Sequence, residues 1–200
     1  LNFPTVRLEK LMSATLYLIR HATPDWNRKD IRYDIPPGPP LTAKGEAEAA
    51  QLGEFLKTTN IAHIYTSPLE RTTRTAQIAA AALGLVVETK HDLAEWVLGE
   101  HETAVLSRCR VCLDAAFDES ETRGPIALVT HGGPIRLLLA DLGLDAAEMA
   151  YYRKLFDNDN PVPPAGVWRV TRNNGGHFEK PELVFTPQPY APFVPSTVNV

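Results

Sequence analysis

The apolar positions of this chain follow two rhythms in alternation. Leu16-Tyr17-Leu18-Ile19 is an unbroken apolar run that stops at Arg20-His21, and Ile126-Ala127-Leu128-Val129 is another that stops at Thr130-His131. Short apolar runs closed by polar residues read as buried strands, here residues 16–19 and 126–130. Residues 61–66 and 85–89 read the same way. Between them the period lengthens. Residues 43–58 place Ala49, Leu52, Phe55 and Leu56 on one helical face. Residues 68–82 predict a helix closed by Gly84, 102–120 a further one, and 134–142 one that stops before Gly143. Near the end, strands at 167–171 and 182–185 flank Asn173-Asn174-Gly175-Gly176 and predict a hairpin. Strands alternating with helices predict a mostly parallel sheet covered on both faces, a three-layer α/β/α sandwich.

The length of 200 residues fits a single domain spanning 1–200. Met12 directly precedes the first strand, so residues 1–11 are expected to be an extension, and the proline-rich residues 186–200 an extended tail. A net charge of −4 argues against a general nucleic-acid binder, but a few arginines in a cleft suffice for a small anion. No apolar run reaches the roughly 18 to 20 residues needed to span a bilayer. Nor does a basic stretch followed by an apolar core mark a signal peptide. The expected location is the cytoplasm, with neither nucleic acid nor membrane as a partner.

Candidate chemistry sits where the apolar runs stop. Strands that end in Arg20-His21 and in His131 deliver two imidazoles to the edge where open α/β sheets bind ligands. Ser67-Pro68-Leu69-Glu70 reads as a capped helix start, which places Arg71 beside free backbone N–H groups, a natural anion site. Gly132-Gly133-Pro134 opens a helix behind His131, and Arg136 one turn further suits a structural ion pair. Glu95 lies among apolar residues, which suits a proton donor; Glu100 and Glu102 are its rivals. Cys109 and Cys112 share a C-x-x-C spacing, but their helical surroundings favour two small buried residues over a redox pair. A stiff proline-rich loop, 35–40, follows the first strand.

Taken in order, these pieces resemble the histidine phosphatase superfamily, the phosphoglycerate mutase-like family, from Leu16 to about Phe185. The motifs are Arg20-His21-Ala22 with Trp26-Asn27, Pro40-Leu41-Thr42-Ala43-Lys44-Gly45, Ser67-Pro68-Leu69-Glu70-Arg71 through Thr75-Ala76, Leu93-Ala94-Glu95 through Gly99, and His131-Gly132-Gly133. The resemblance implies a metal-independent, cofactor-free phosphomonoester hydrolase acting on a small phosphorylated metabolite. His21 would be the nucleophile and Glu95 the acid–base. Arg20, Asn27, Arg71, His131 and Gly132 would surround the phosphoryl group. Ala22 and Thr23 replace the family's usual glycine and a frequent glutamate, and His101 and Thr103 stand in place of a common Trp-Glu-Gly ending. Trp26, Tyr33, Trp96 and His101 are candidates for the leaving-group pocket. The alternatives are a phosphoglycerate mutase-type transfer and a non-catalytic phosphate-binding module.

Overall fold

The computed structural model describes residues 13–156 and 159–190. The expected extension at 1–11 lies outside them, as does the tail beyond Tyr190. Among the described residues, six strands form one sheet: β1 (Ala14–Arg20), β2 (His63–Thr66), β3 (Val87–Thr89), β4 (Ile126–Thr130), β5 (Val167–Arg172) and β6 (Glu182–Phe185). Their order is β3-β2-β4-β1-β5-β6. The first four run parallel, while β5 and β6 are antiparallel additions at one edge, paired as the hairpin pattern predicts.

Strand alternation divides the core in two. Leu16, Leu18, Ile126 and Leu128 face one layer, built from α3 (Glu102–Arg123), α4 (Gly132–Asp141) and Met149 of α5 (Ala146–Leu155). Tyr17, Ile19, Ala127 and Val129 face the other, built from α1 (Ala43–Leu56) and α2 (Glu70–Ala81). Successive strand side chains point to opposite faces, so a run that is apolar at every position needs a helix layer on both. The three-layer α/β/α architecture follows from that requirement. Among the described residues, no helix is long and apolar enough to cross a membrane.

Two expectations need correction. The helix α5 was missing from the pattern, because Met149 is its one buried position. Ser67 does not cap α2. That helix begins at Glu70 behind Leu69 without a side-chain cap, and Ser67 is engaged elsewhere. The start of α1 is built as its motif suggests. Thr42 Oγ1 accepts from the Gly45 amide at 3.0 Å and donates to the Thr23 carbonyl at 3.1 Å. A Cβ on Gly45 would lie 2.2 Å from the Thr23 oxygen, so only glycine lets α1 approach this closely. Glu48 then takes both the amide and the hydroxyl of Thr23, at 2.8 and 2.9 Å.

Candidate active site

β1 and β4 are parallel neighbours with Arg20 opposite Thr130, so the next residues on each strand, His21 and His131, emerge side by side. Their rings lie 5.3 Å apart, and the His21 amide donates to the Thr130 carbonyl at 2.9 Å. On the other flank of β4, β2 ends at Thr66, which brings Ser67 to the second imidazole at 2.7 Å. Arg71 comes from the first turn of α2. Glu95 follows a 3-10 turn, His91–Leu93, that Thr130 holds by donating to the Leu93 carbonyl at 2.7 Å. Arg108 of α3 donates to the carbonyls of Ala94 and Glu95 at 2.7 and 3.0 Å and fixes the same segment.

The partners define both tautomers. His21 Nδ1 lies 2.8 Å from the carbonyl of Ala22, an oxygen that can only accept. Nδ1 therefore carries the proton, and Nε2 is bare. Its lone pair accepts from the Tyr33 hydroxyl at 3.2 Å. In His131 the assignment is opposite. Arg71 Nη2 can only donate, and it reaches His131 Nδ1 at 3.1 Å. The proton sits on Nε2 and goes to Ser67 Oγ.

Both imidazoles are fully buried beside cations. Burial, then Arg71 and Arg20, pushes His21 well below its ordinary range; the Ala22 carbonyl opposes this. Burial, Arg71 and His21 do the same to His131. Burial pushes Glu95 the other way, toward the protonated form, and outweighs the Arg71 guanidinium 3.2 Å from its Oε2. Its Oε1 accepts from the Trp96 amide at 3.0 Å. Such pairs of groups displaced in opposite directions mark acid–base chemistry.

His21, Glu95 and His131 each present a donor atom within 4.8 Å of the others, a set that a cation suits. The cation already placed there is Arg71, whose Nη2 touches Glu95 and His131. A guanidinium on these donors supplies the positive charge that a metal would bring.

A cavity of about 340 Å³ opens over this group. Arg20, Asn27, Glu95 and Gly132 line it, joined by Trp26, Lys29, Tyr33, Gly133 and Asn160. Arg20 is 2% exposed and is anchored by donation to the Val162 carbonyl at 3.0 Å. Gly132 is glycine for a steric reason: a Cβ there would lie 1.8 Å from Asn160 Oδ1. Asn160, Lys29 and the Ser67–His131 contact escaped the sequence reading. So did the contact of Tyr33 with His21, although Tyr33 itself was a pocket candidate.

Other candidates fall away from this cavity. His101 is exposed at the start of α3 and lines neither this cavity nor the groove beside Trp96. Glu100 is paired with Arg108 at 2.8 Å, which holds it in the ionised form. Glu102 faces Arg136 at 3.6 Å, so Arg136 has its ion pair. Cys109 and Cys112 are buried free thiols, which burial pushes up to about 12 and about 11.

Residues 16–106 match the family described as the histidine phosphatase superfamily (branch 1). "Probable phosphoglycerate mutase GpmB" of Klebsiella pneumoniae (strain 342) is 41% identical over 106 residues, which are 53% of this chain and 46% of that protein. The chain thus spans less than half the length of this curated relative. Among solved structures, a phosphoglycerate mutase from Bacillus anthracis str. Sterne matches with a TM-score of 0.70 at 19% identity, over 86% of this chain and 93% of that one. The alpha-ribazole phosphatase from Shigella flexneri matches with a TM-score of 0.65 at 22% identity, over 85% and 94%. Residues 16–106 thus carry the sequence signature of the histidine phosphatase superfamily, and most of the chain has the phosphoglycerate mutase-like architecture.

Proposed function

We propose that this chain hydrolyses small phosphomonoesters through a phosphohistidine on His21, without a metal. The observation that carries the reading is the bare Nε2 of His21, whose tautomer is fixed by Ala22, at a cavity lined by Arg20 and Glu95 and flanked by Arg71 and His131.

In the first step the Nε2 lone pair attacks phosphorus as the ester P–O bond breaks, and the protonated carboxyl of Glu95 gives its proton to the leaving alkoxide. In the second, the Glu95 carboxylate takes a proton from water, the water oxygen attacks phosphorus, and the P–N bond breaks. Dividing one displacement into two is the gain of nucleophilic catalysis. Stabilising the phosphoryl oxygens falls to Arg20, Arg71, Asn27 and the Gly132 amide at the start of α4. In the substrate-free tautomer, His131 turns no N–H toward His21. A bound phosphoryl dianion reverses the local field. It favours the imidazolium at His131 and the protonated form of Glu95, which prepares both as donors.

The test is release of p-nitrophenol from p-nitrophenyl phosphate, with EDTA present, by wild type and His21→Ala. Turnover by wild type and none by the variant is expected. Dependence on added metal, or equal activity in both, overturns the assignment. The GpmB relative favours a second reading, in which His21 returns the phosphoryl group to another hydroxyl of the substrate. Isomerised phosphoglycerate without phosphate release is its signature. Phosphate binding without either reaction would leave a binding module.

A further inference from the structure

Tyr33 sits in the loop between β1 and α1, and its side chain is held on three sides. Trp26 stacks on its ring at 4.9 Å and 18°, and the Arg71 guanidinium lies 3.8 Å from the ring centroid. Stacking at that distance leaves only the opposite face for the guanidinium. The phenol oxygen is 3.2 Å from His21 Nε2. The loop itself is pinned where Asp25 meets Pro40 at 2.8 Å, where the Glu70 amide donates to Pro37 at 2.7 Å, and where Arg71 Nη1 donates to the Tyr33 carbonyl at 2.8 Å.

A phosphorus atom poised for attack stands about 3–3.5 Å from its nucleophile. The Tyr33 oxygen already stands at that distance along the only free lone pair of the ring. The two cannot be there together. Tyr33 is also the one residue shared by the linings of the active-site cavity and of a neighbouring groove of about 510 Å³ beside Trp96 and Leu98. Turning the ring away from His21 would open the wall between the two spaces.

We propose that Tyr33 is a specificity-determining plug: its hydroxyl occupies the phosphoryl position until a substrate displaces it. The inference rests on His21 being the nucleophile. Free phosphate must displace the phenol with phosphoryl contacts alone, whereas an ester also has its leaving group to place against the Trp26 side of the cavity or in the opened groove. The displacement cost falls equally on both ligands, and only the ester can recover part of it through contacts of its leaving group.

The experiment is calorimetric titration of the whole chain with inorganic phosphate, for wild type, Tyr33→Phe and Tyr33→Ala. Phenylalanine keeps the ring between Trp26 and Arg71 and removes the hydroxyl that meets His21 Nε2. The expected result is about fivefold tighter phosphate binding in Tyr33→Phe, the equivalent of one net hydrogen bond. In ¹⁵N spectra, Nε2 of His21 in that variant should shift toward an unbonded imidazole nitrogen, which a purely structural role would not produce. On the wild-type chain, saturating phosphate should move the Tyr33 ring resonances. Unchanged or weaker phosphate binding in Tyr33→Phe overturns the plug, as do Tyr33 resonances indifferent to phosphate. Turnover of p-nitrophenyl phosphate is measured alongside. If wild type turns over and Tyr33→Phe shows no tighter binding, the plug alone fails. If His21→Ala turns over like wild type, the nucleophile reading fails and takes the plug with it.

Discussion

Glu95→Gln separates the two chemical steps. Glutamine keeps the acceptor that holds the Trp96 amide at 3.0 Å, gives up the acceptor that meets Arg71 Nη2 at 3.2 Å, and carries no transferable proton. For an alkyl phosphate the leaving alkoxide needs that proton, and the first step should slow by about 10²- to 10⁴-fold, the usual contribution of a placed general acid. For p-nitrophenyl phosphate the leaving oxide is stable unprotonated, so the first step should change only a few-fold. The second step is common to both substrates and needs a base. Rapid mixing of the variant with p-nitrophenyl phosphate should therefore give a burst of p-nitrophenol close to one equivalent of enzyme, then slow turnover. Because burial holds Glu95 above its ordinary range, the alkaline limb of the alkyl phosphate profile should lie above that range in wild type and vanish in the variant. Equal slowing of the first step on both substrates would refute the acid role of this carboxyl.

Four further outcomes are expected. Gly132→Ala, whose Cβ would meet Asn160 Oδ1 at 1.8 Å, should force the Asn160 side chain aside, cost about 1 kcal/mol or less in chemical unfolding because that side chain can turn away, and lower kcat/KM by disturbing the cavity wall. Arg71→Lys cannot reach Tyr33, Glu95 and His131 at once, and should lose about 10²- to 10³-fold in kcat on p-nitrophenyl phosphate with the circular dichroism unchanged. His21 and His131 are both held below their unfolded value, so the unfolded chain binds more protons below about pH 6.5. Stability in urea should then fall as pH drops through that range, by about 1.4 kcal/mol per pH unit for each histidine. Glu95, held above its unfolded value, opposes this trend, and His131→Asn should remove one histidine's share. Iodoacetamide at pH 8 should label Cys109 and Cys112 only after unfolding.

The sheet was legible because β1 and β4 each carry an unbroken apolar run, and β4 was read at its observed limits of Ile126–Thr130. The residues that follow β1 and β4 inherit their place from strand register, so pairing His21 with His131 was within reach of pattern reasoning. What was not legible depends on contacts distant along the chain. Ser67 satisfies a local capping pattern, yet its hydroxyl serves an imidazole 64 residues away, a contact that short-range rules do not register. Tyr33 was one aromatic residue among several until the loop closed over Arg71. Asn160 is in contact with Gly132 only because the chain returns to the site before β5. Helix α5 carried a signal that could have been used: Asp145 caps it, accepting from the amides of Ala147 and Glu148 at 2.8 and 3.2 Å.

The contact between His21 Nδ1 and the Ala22 carbonyl also bears on the lifetime of the proposed intermediate. Phosphorylation at Nε2 with the proton retained at Nδ1 leaves a cationic ring, and the carbonyl 2.8 Å away stabilises that cation among arginines that would otherwise expel the proton. A cationic imidazole departs from phosphorus as a neutral molecule, whereas a deprotonated one would have to leave as an anion. The same short hydrogen bond that aims the nucleophile thus makes it a good leaving group, and the covalent enzyme should be short-lived unless the water-activating carboxylate is removed.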